Sequence, residues 1–113
     1  MHEFSLANSI LEIAEEAVEK NGMSKVTAIT LEIGTMAGVE ISALETAMEI
    51  IKKDTILEMA EIIIDILAAT AVCNTCQHQF EPHDITDSCP VCTNFGMSIL
   101  SGKELLVKSI EAE

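Results

Sequence analysis

The chain has 113 residues and carries six Lys plus Arg against nineteen Asp plus Glu, a formal charge of −13. That length suits one domain with at most a small appendage. Nucleic-acid backbones and anionic lipid surfaces are repelled by such a charge, and with no Trp or Tyr and only three Phe the chain lacks the stacking platforms of single-strand binders.

From Phe4 to Lys20 the apolar residues Ala7, Ile10, Leu11, Ala14, Ala17 and Val18 recur at intervals of three and four, with Glu12, Glu15, Glu16 and Glu19 mostly opposite. This predicts an amphipathic helix. Lys20 supplies a basic last turn, and Asn21-Gly22 a left-handed stop. VTAITLEIG then alternates, with Ile29, Leu31 and Ile33 on one face, and reads as a strand ended by Gly34. After the loop TMAGVEI, Ser42 and Glu45 have the spacing of a capping box, and Leu44, Ala47, Met48 and Ile51 form a second helical stripe closed by Lys52-Lys53. Both stripes, Met48 included, are expected to be core.

A short irregular piece, DTILEM, leads to AEIIIDIL. This run reads as a strand apolar on both faces, although periodicity leaves helix open. Either a central strand or a dimer edge suits it. The closing KELLVKSIEAE is a third strand candidate. Between these two lies a segment of different composition, holding all four cysteines, both prolines and two of the three histidines. It reads as an insertion at the tip of a β-pair.

Cys73, Cys76, Cys89 and Cys92 have the spacing C-x2-C-x12-C-x2-C. Two residues between cysteines let a tight turn aim both thiolates at one ion, and two such turns complete a tetrahedral four-sulfur shell. A closed shell favours structural zinc. No basic region precedes an apolar core at the N-terminus, so the expected location is the cytoplasm, where reducing conditions argue against disulfides. A rubredoxin-like iron centre stays open, since four-sulfur sites suit iron too. A module of this size cannot build its own core, so metal must provide much of its folding energy. His78 and His83 flank the cysteines and are not assigned as ligands.

The opening MHE has its own chemistry. A Met1 amine, the deprotonated amide nitrogen of His2 and the His2 imidazole can close two chelate rings in one plane around Ni(II) or Cu(II). The fourth position is left to Glu3, water or an incoming ligand. A residue as bulky as His2 is expected to protect the initiator Met1 from removal.

Taken together, MHEFSLANSI, the LEIG strand, the acidic loop residue before the second helix, CNTC with CPVC, and SGKELLVKSIEAE resemble the HypA/HybF family of hydrogenase nickel-incorporation proteins. The resemblance covers essentially the whole chain. It implies a nickel metallochaperone, not an enzyme, that carries Ni(II) as transient cargo for the [NiFe]-hydrogenase large subunit beside a HypB-type GTPase. No phosphate-binding GxxxxGK[ST] occurs in this chain, so nucleotide chemistry would belong to that partner. Met1, His2 and Glu3 would form the nickel site with Glu40 in support, and Cys73, Cys76, Cys89 and Cys92 would hold structural Zn(II).

The fold expected is α+β, two helices packed on a small three-stranded mixed sheet with an inserted zinc-ribbon-like lobe. Residues 1–69 and 97–113 would make the nickel-binding α/β domain and 70–96 the four-cysteine zinc-binding lobe. Neither nucleic acid nor membrane is an expected partner, and the chain would be a monomer or homodimer. Departures from the family pattern are Met59, where Gly is frequent, and Ala68, where Pro is frequent. Relatives with a longer lobe lend nickel an extra histidine from it. Here the x12 loop leaves the fourth ligand open, with His78 and His83 as substitutes. The rival reading is a zinc-ribbon interaction module whose acidic face docks a basic protein.

Overall fold

The structure is a computed structural model that describes residues 3–113. Helix α1 (Glu3–Lys20) buries Ala7, Ile10, Ala14 and Val18, the inner row of the expected stripe. It stops where Gly22 turns left-handed at φ +67°. The Gly22 amide donates to the Glu19 carbonyl and the Met23 amide to that of Val18, so two otherwise orphaned carbonyls are satisfied. The Asn21 side chain adds a third bond, to the Ala17 carbonyl at 2.7 Å.

Strand β1 (Val26–Gly34) follows with the predicted limits. It is the middle strand of a three-stranded sheet ordered β2-β1-β6, with β2 at Glu61–Leu67 and β6 at Leu105–Ala112. Central position explains why Ala28, expected opposite the main apolar face, is buried along with Ile29, Leu31 and Ile33. Lys25 and Glu113 exchange amide-to-carbonyl bonds at 3.1 and 2.9 Å, and the Gly34 amide donates to the Glu104 carbonyl at 2.8 Å. Indices that rise on β1 and fall on β6 make that pair antiparallel. On the other side Val26 donates to Ile56 and Thr35 to Leu67, rising together, so β1 and β2 run parallel. Such a pair needs a long crossover. Helix α2 (Ile41–Ile51) lies in it and buries Leu44, Ala47 and Met48 toward the shared core with α1.

Two local expectations are corrected. Helix α2 is capped two positions earlier than a Ser42–Glu45 box requires: Glu40 is the N-cap, without a side-chain cap bond, and the Ser42 hydroxyl donates to Glu40 Oε1 at 2.9 Å instead. Ser42 therefore sits inside the first turn, where it cannot accept from the amide three residues on. The isoleucine run is indeed a strand, but β2 has no residue buried throughout. As an edge strand it is covered by β1 on one side only, so apolar composition does not translate into burial on both faces.

A second three-stranded sheet, ordered β4-β3-β5, consists of β3 (Thr70–Cys73), β4 (Gln79–Phe80) and β5 (Met97–Ser101), all antiparallel. Ala71 faces Phe80 on one side and Ile99 on the other. The chain divides into two compact units. One comprises the residues up to Leu31 with Val39–Asp65 and Leu106–Glu113, and the other Glu32–Gly38 with Ile66–Leu105. All of residues 70–96 fall in the second. There Gly34 and Gly102 bring backbones into direct contact: a methyl group on Gly34 would run into the Gly102 carbonyl, and one on Gly102, itself at φ +108°, into Ala69. No described helix is long and apolar enough to cross a membrane.

Candidate metal centre

The four cysteines arrive from two turns built alike. In the first, the Cys73 amide donates to the His78 carbonyl and the Gln77 amide returns to the Cys73 carbonyl, at 2.9 and 3.0 Å. The second repeats this, Cys89 donating to Asn94 and Thr93 to Cys89, both at 2.9 Å. Closing each turn sends the residue after its second cysteine left-handed, Gln77 at φ 66° and Thr93 at φ 64°. Glycine adopts that conformation freely, and a β-branched threonine rarely does. Both turns also aim an amide at their first sulfur, Thr75 at Cys73 Sγ and Val91 at Cys89 Sγ, each at 3.4 Å.

The result is one cluster. All four sulfurs lie within 4.8 Å of one another, with Cys73 to Cys92 and Cys76 to Cys89 at 3.6 Å. Four thiolates about 2.3 Å from a common zinc ion in a tetrahedron would sit about 3.8 Å apart. The donor set and its spacing therefore fit a tetrahedral ion, with Cys73 and Cys89 buried and Cys76 at the surface.

Amide donation also prepares the sulfurs electrostatically. The amides of Cys76 and Thr75 hold the Cys73 thiol down to about 6. The amide of Cys92 is the main cause of a lowered Cys89, assisted by that of Val91. At Cys76 the His78 amide pulls downward, but desolvation and the neighbouring sulfurs of Cys89, Cys92 and Cys73 together outweigh it and push the thiol up to about 12. Thiolates, not thiols, bind metal, so this turn geometry lowers the number of protons an incoming ion must displace.

Neither histidine joins this group of ligand atoms among the described residues. His78 is exposed and stacks on Phe80, ring planes 3° apart and centroids 6.4 Å apart. His83 lines a shallow depression of about 450 Å3 with Phe80, Glu81, Asp87, Ser88 and Pro90. Its amide donates to Asp87 Oδ2 at 2.8 Å.

The second candidate constellation is only partly within view, because Met1 and His2 lie outside the described residues. Glu3 opens α1, and its Oε2 accepts from the amide of Glu40, the N-cap of α2, at 3.1 Å. A carboxylate and a backbone amide 37 residues apart in sequence thus meet where two helices begin. That the Glu40 amide, rather than its side chain, receives Glu3 has no signal in the sequence. The same holds for Thr75 and Val91 as amide donors to sulfur, and the missing glycine after each CxxC hides the left-handed turn.

The model of the family described as hydrogenase/urease nickel incorporation, metallochaperone, HypA, matches residues 1–112. Among curated relatives, the hydrogenase maturation factor HypA of Francisella philomiragia is 43% identical over 110 residues, covering 97% of each chain. That of Geobacter metallireducens is 39% identical over 113 residues, covering both chains completely. The solution structure of the Ni metallochaperone HypA from Helicobacter pylori superposes with a TM-score of 0.68 at 25% identity, over 99% of this chain and 97% of that one. A second HypA solution structure gives 0.70 at 25% identity, over 100% and 97%.

Proposed function

Since the chain belongs to the HypA family of nickel-incorporation metallochaperones, we propose that its nickel cargo is bound by the Met1 amine, the amide and imidazole of His2, and Glu3, with Glu40 as the supporting carboxylate. The observation that carries the assignment is the bond from the Glu40 amide to Glu3 Oε2. It sets the carboxylate next in sequence to His2 against the start of α2, where Glu40 in turn accepts from Ser42. A metal held by the N-terminus then lies among fixed acceptors while one coordination position exchanges.

In this reading the four cysteines hold zinc, which stabilises the lobe and takes no part in transfer. Residues 1–69 with 97–113 carry nickel and 70–96 carry zinc. Delivery is ligand exchange rather than bond-breaking catalysis, in the cytoplasm, with a HypB-type GTPase and the [NiFe]-hydrogenase large subunit as partners. Amine and amide each lose a proton on loading, so acid favours release.

The test is the Ni(II) absorption spectrum and stoichiometry of tag-free, zinc-loaded protein beside a form extended by one N-terminal Gly and beside His2→Ala. A planar-type nickel band lost or altered in both variants supports the site. Equal nickel binding by all three removes the N-terminus from it. Glu3→Gln keeps the Glu40 contact as an amide acceptor but removes the charge, and is expected to weaken nickel binding without affecting zinc content.

A further inference from the structure

The order β2-β1-β6 leaves one side of β2 without a described strand. Leu67 turns its carbonyl toward β1, donated to by Thr35. Backbone direction alternates along a strand, so Ile62 and Ile64 turn their amides and carbonyls outward. Unpaired edges of this kind are templates for strand addition, which proteins ordinarily blunt with short length, lysine or proline. Between Glu61 and Asp65 the edge has none of these: it reads Glu-Ile-Ile-Ile-Asp.

Beside it lies a cleft of about 70 Å3 between α2 and β2, lined by Glu45, Met48, Glu49, Ile62 and Ile64. Its floor is apolar and its rim on α2 acidic. Glu61 and Asp65 bracket the strand itself. Lys52 lies 3.6 Å from Glu49 and Lys108 3.9 Å from Asp65, which leaves Glu45 and Glu61 without a basic neighbour among the described ion pairs. Met59, just upstream, is 82% exposed.

We propose that the β2 edge from Glu61 to Asp65 docks an extended segment of another protein, alternating in basic and aliphatic residues, as a fourth strand. Its backbone bonds Ile62 and Ile64, aliphatic side chains opposite those residues enter the cleft against Met48, and its basic residues, on the other face of the sheet, meet Glu61 and Asp65. Main-chain bonds supply affinity and the alternate side chains specificity, as in strand addition generally. A second copy of this chain is the poorer occupant. Antiparallel self-pairing that matches Ile62 with Ile64 sets Glu61 opposite Asp65 twice, and like charges directly opposite are destabilising. The charge of −13 adds to that repulsion.

The surface is independent of metal cargo, so its test needs no nickel. Zinc-loaded full-length protein is titrated with a capped synthetic heptapeptide of alternating lysine and valine, and with a control of the same composition in two blocks. Amide hydrogen exchange is read by NMR. The alternating peptide is expected to slow exchange at Ile62 and Ile64, to leave Ile63 unchanged, and to bind at least tenfold more weakly to the double variant Glu61→Lys, Asp65→Lys. Glu61 is exposed and Asp65 half-exposed on β2, and the variant's unchanged helical circular dichroism checks that it folds. Equal binding of the block peptide, equal binding to the variant, or unchanged exchange at Ile62 and Ile64 would overturn the proposal. So would protection of those amides that rises with protein concentration without peptide, which would give the edge to a second copy.

Discussion

The two units are held together by different physics. In the first, α1, α2 and the adjoining parts of the sheet bury Ala7, Ile10, Val18, Ile29, Leu31, Leu44, Met48 and Leu57. Such side chains each contribute about 1.5–3 kcal/mol when fully buried, so this unit has a conventional apolar core. Along residues 70–96 the buried positions are Ala71, Cys73, Pro82 and Cys89. Two of those four are cysteines of the sulfur cluster and the others are small. Large apolar side chains there point outward, Ile85, Val91 and Phe95 being 67%, 63% and 72% exposed. The lesson is that one chain can build one half around an apolar core and the other around four clustered cysteines, so that each half is expected to fail for its own reason.

Metal removal should separate them most sharply. Structural zinc is worth about 10–16 kcal/mol to small zinc modules. A strong chelator, or Cys89→Ser, is expected to collapse the amide dispersion of 70–96 while α1 and α2 keep their circular dichroism. Loss of both together would show that the halves depend on each other. The converse variant is Leu44→Ala, which empties a fully buried position in the apolar core. It should cost about 2–5 kcal/mol in denaturant unfolding of the helices, with zinc stoichiometry unchanged.

Acid should destabilise the lobe. A thiol held down to about 6 from 9.0 lends stability that is fully present above the higher value and lost as pH falls through the lower. Below about pH 6 zinc must also displace the Cys73 proton, so competition titrations should show apparent affinity falling an extra tenfold per pH unit there. Smallest is the relief of backbone strain: Thr93→Gly replaces a left-handed threonine by the residue suited to φ 64°. Avoiding that conformation's cost of about 1–2 kcal/mol, less the added entropy of a flexible unfolded chain, should stabilise the lobe by about 1 kcal/mol. The readout is a several-fold slower loss of zinc to chelator.

Much of this was legible from residues alone where the signal is local. The α1 stripe and its Asn21-Gly22 stop, the limits of β1, and the two CxxC pairs are patterns within one or two turns of chain, and each specifies its own geometry. The capping box failed because Ser42 and Glu45 match a spacing that competes with an equally helical start at Glu40, and only the incoming loop decides between them. The isoleucine run named a strand but not its place, since composition records what a segment can bury and not what stands beside it. The second sheet, β4-β3-β5, went unread because Gln79–Phe80 is too short to show a period.

What the sequence by itself determined, then, is the two helices and the strands of the first sheet, the four cysteines that cluster and, through the family motifs spread over the whole chain, its nickel-carrying role. Tertiary structure alone decided that β1 is central and β2 an open edge, that Thr75 and Val91 turn their amides on sulfur, and that Glu3 reaches the Glu40 amide. Those are contacts between backbone groups or between residues far apart in the chain. Backbone amides are the same at every residue but proline, so side-chain identity cannot announce which of them will face a carboxylate or a thiolate until the fold has brought them together.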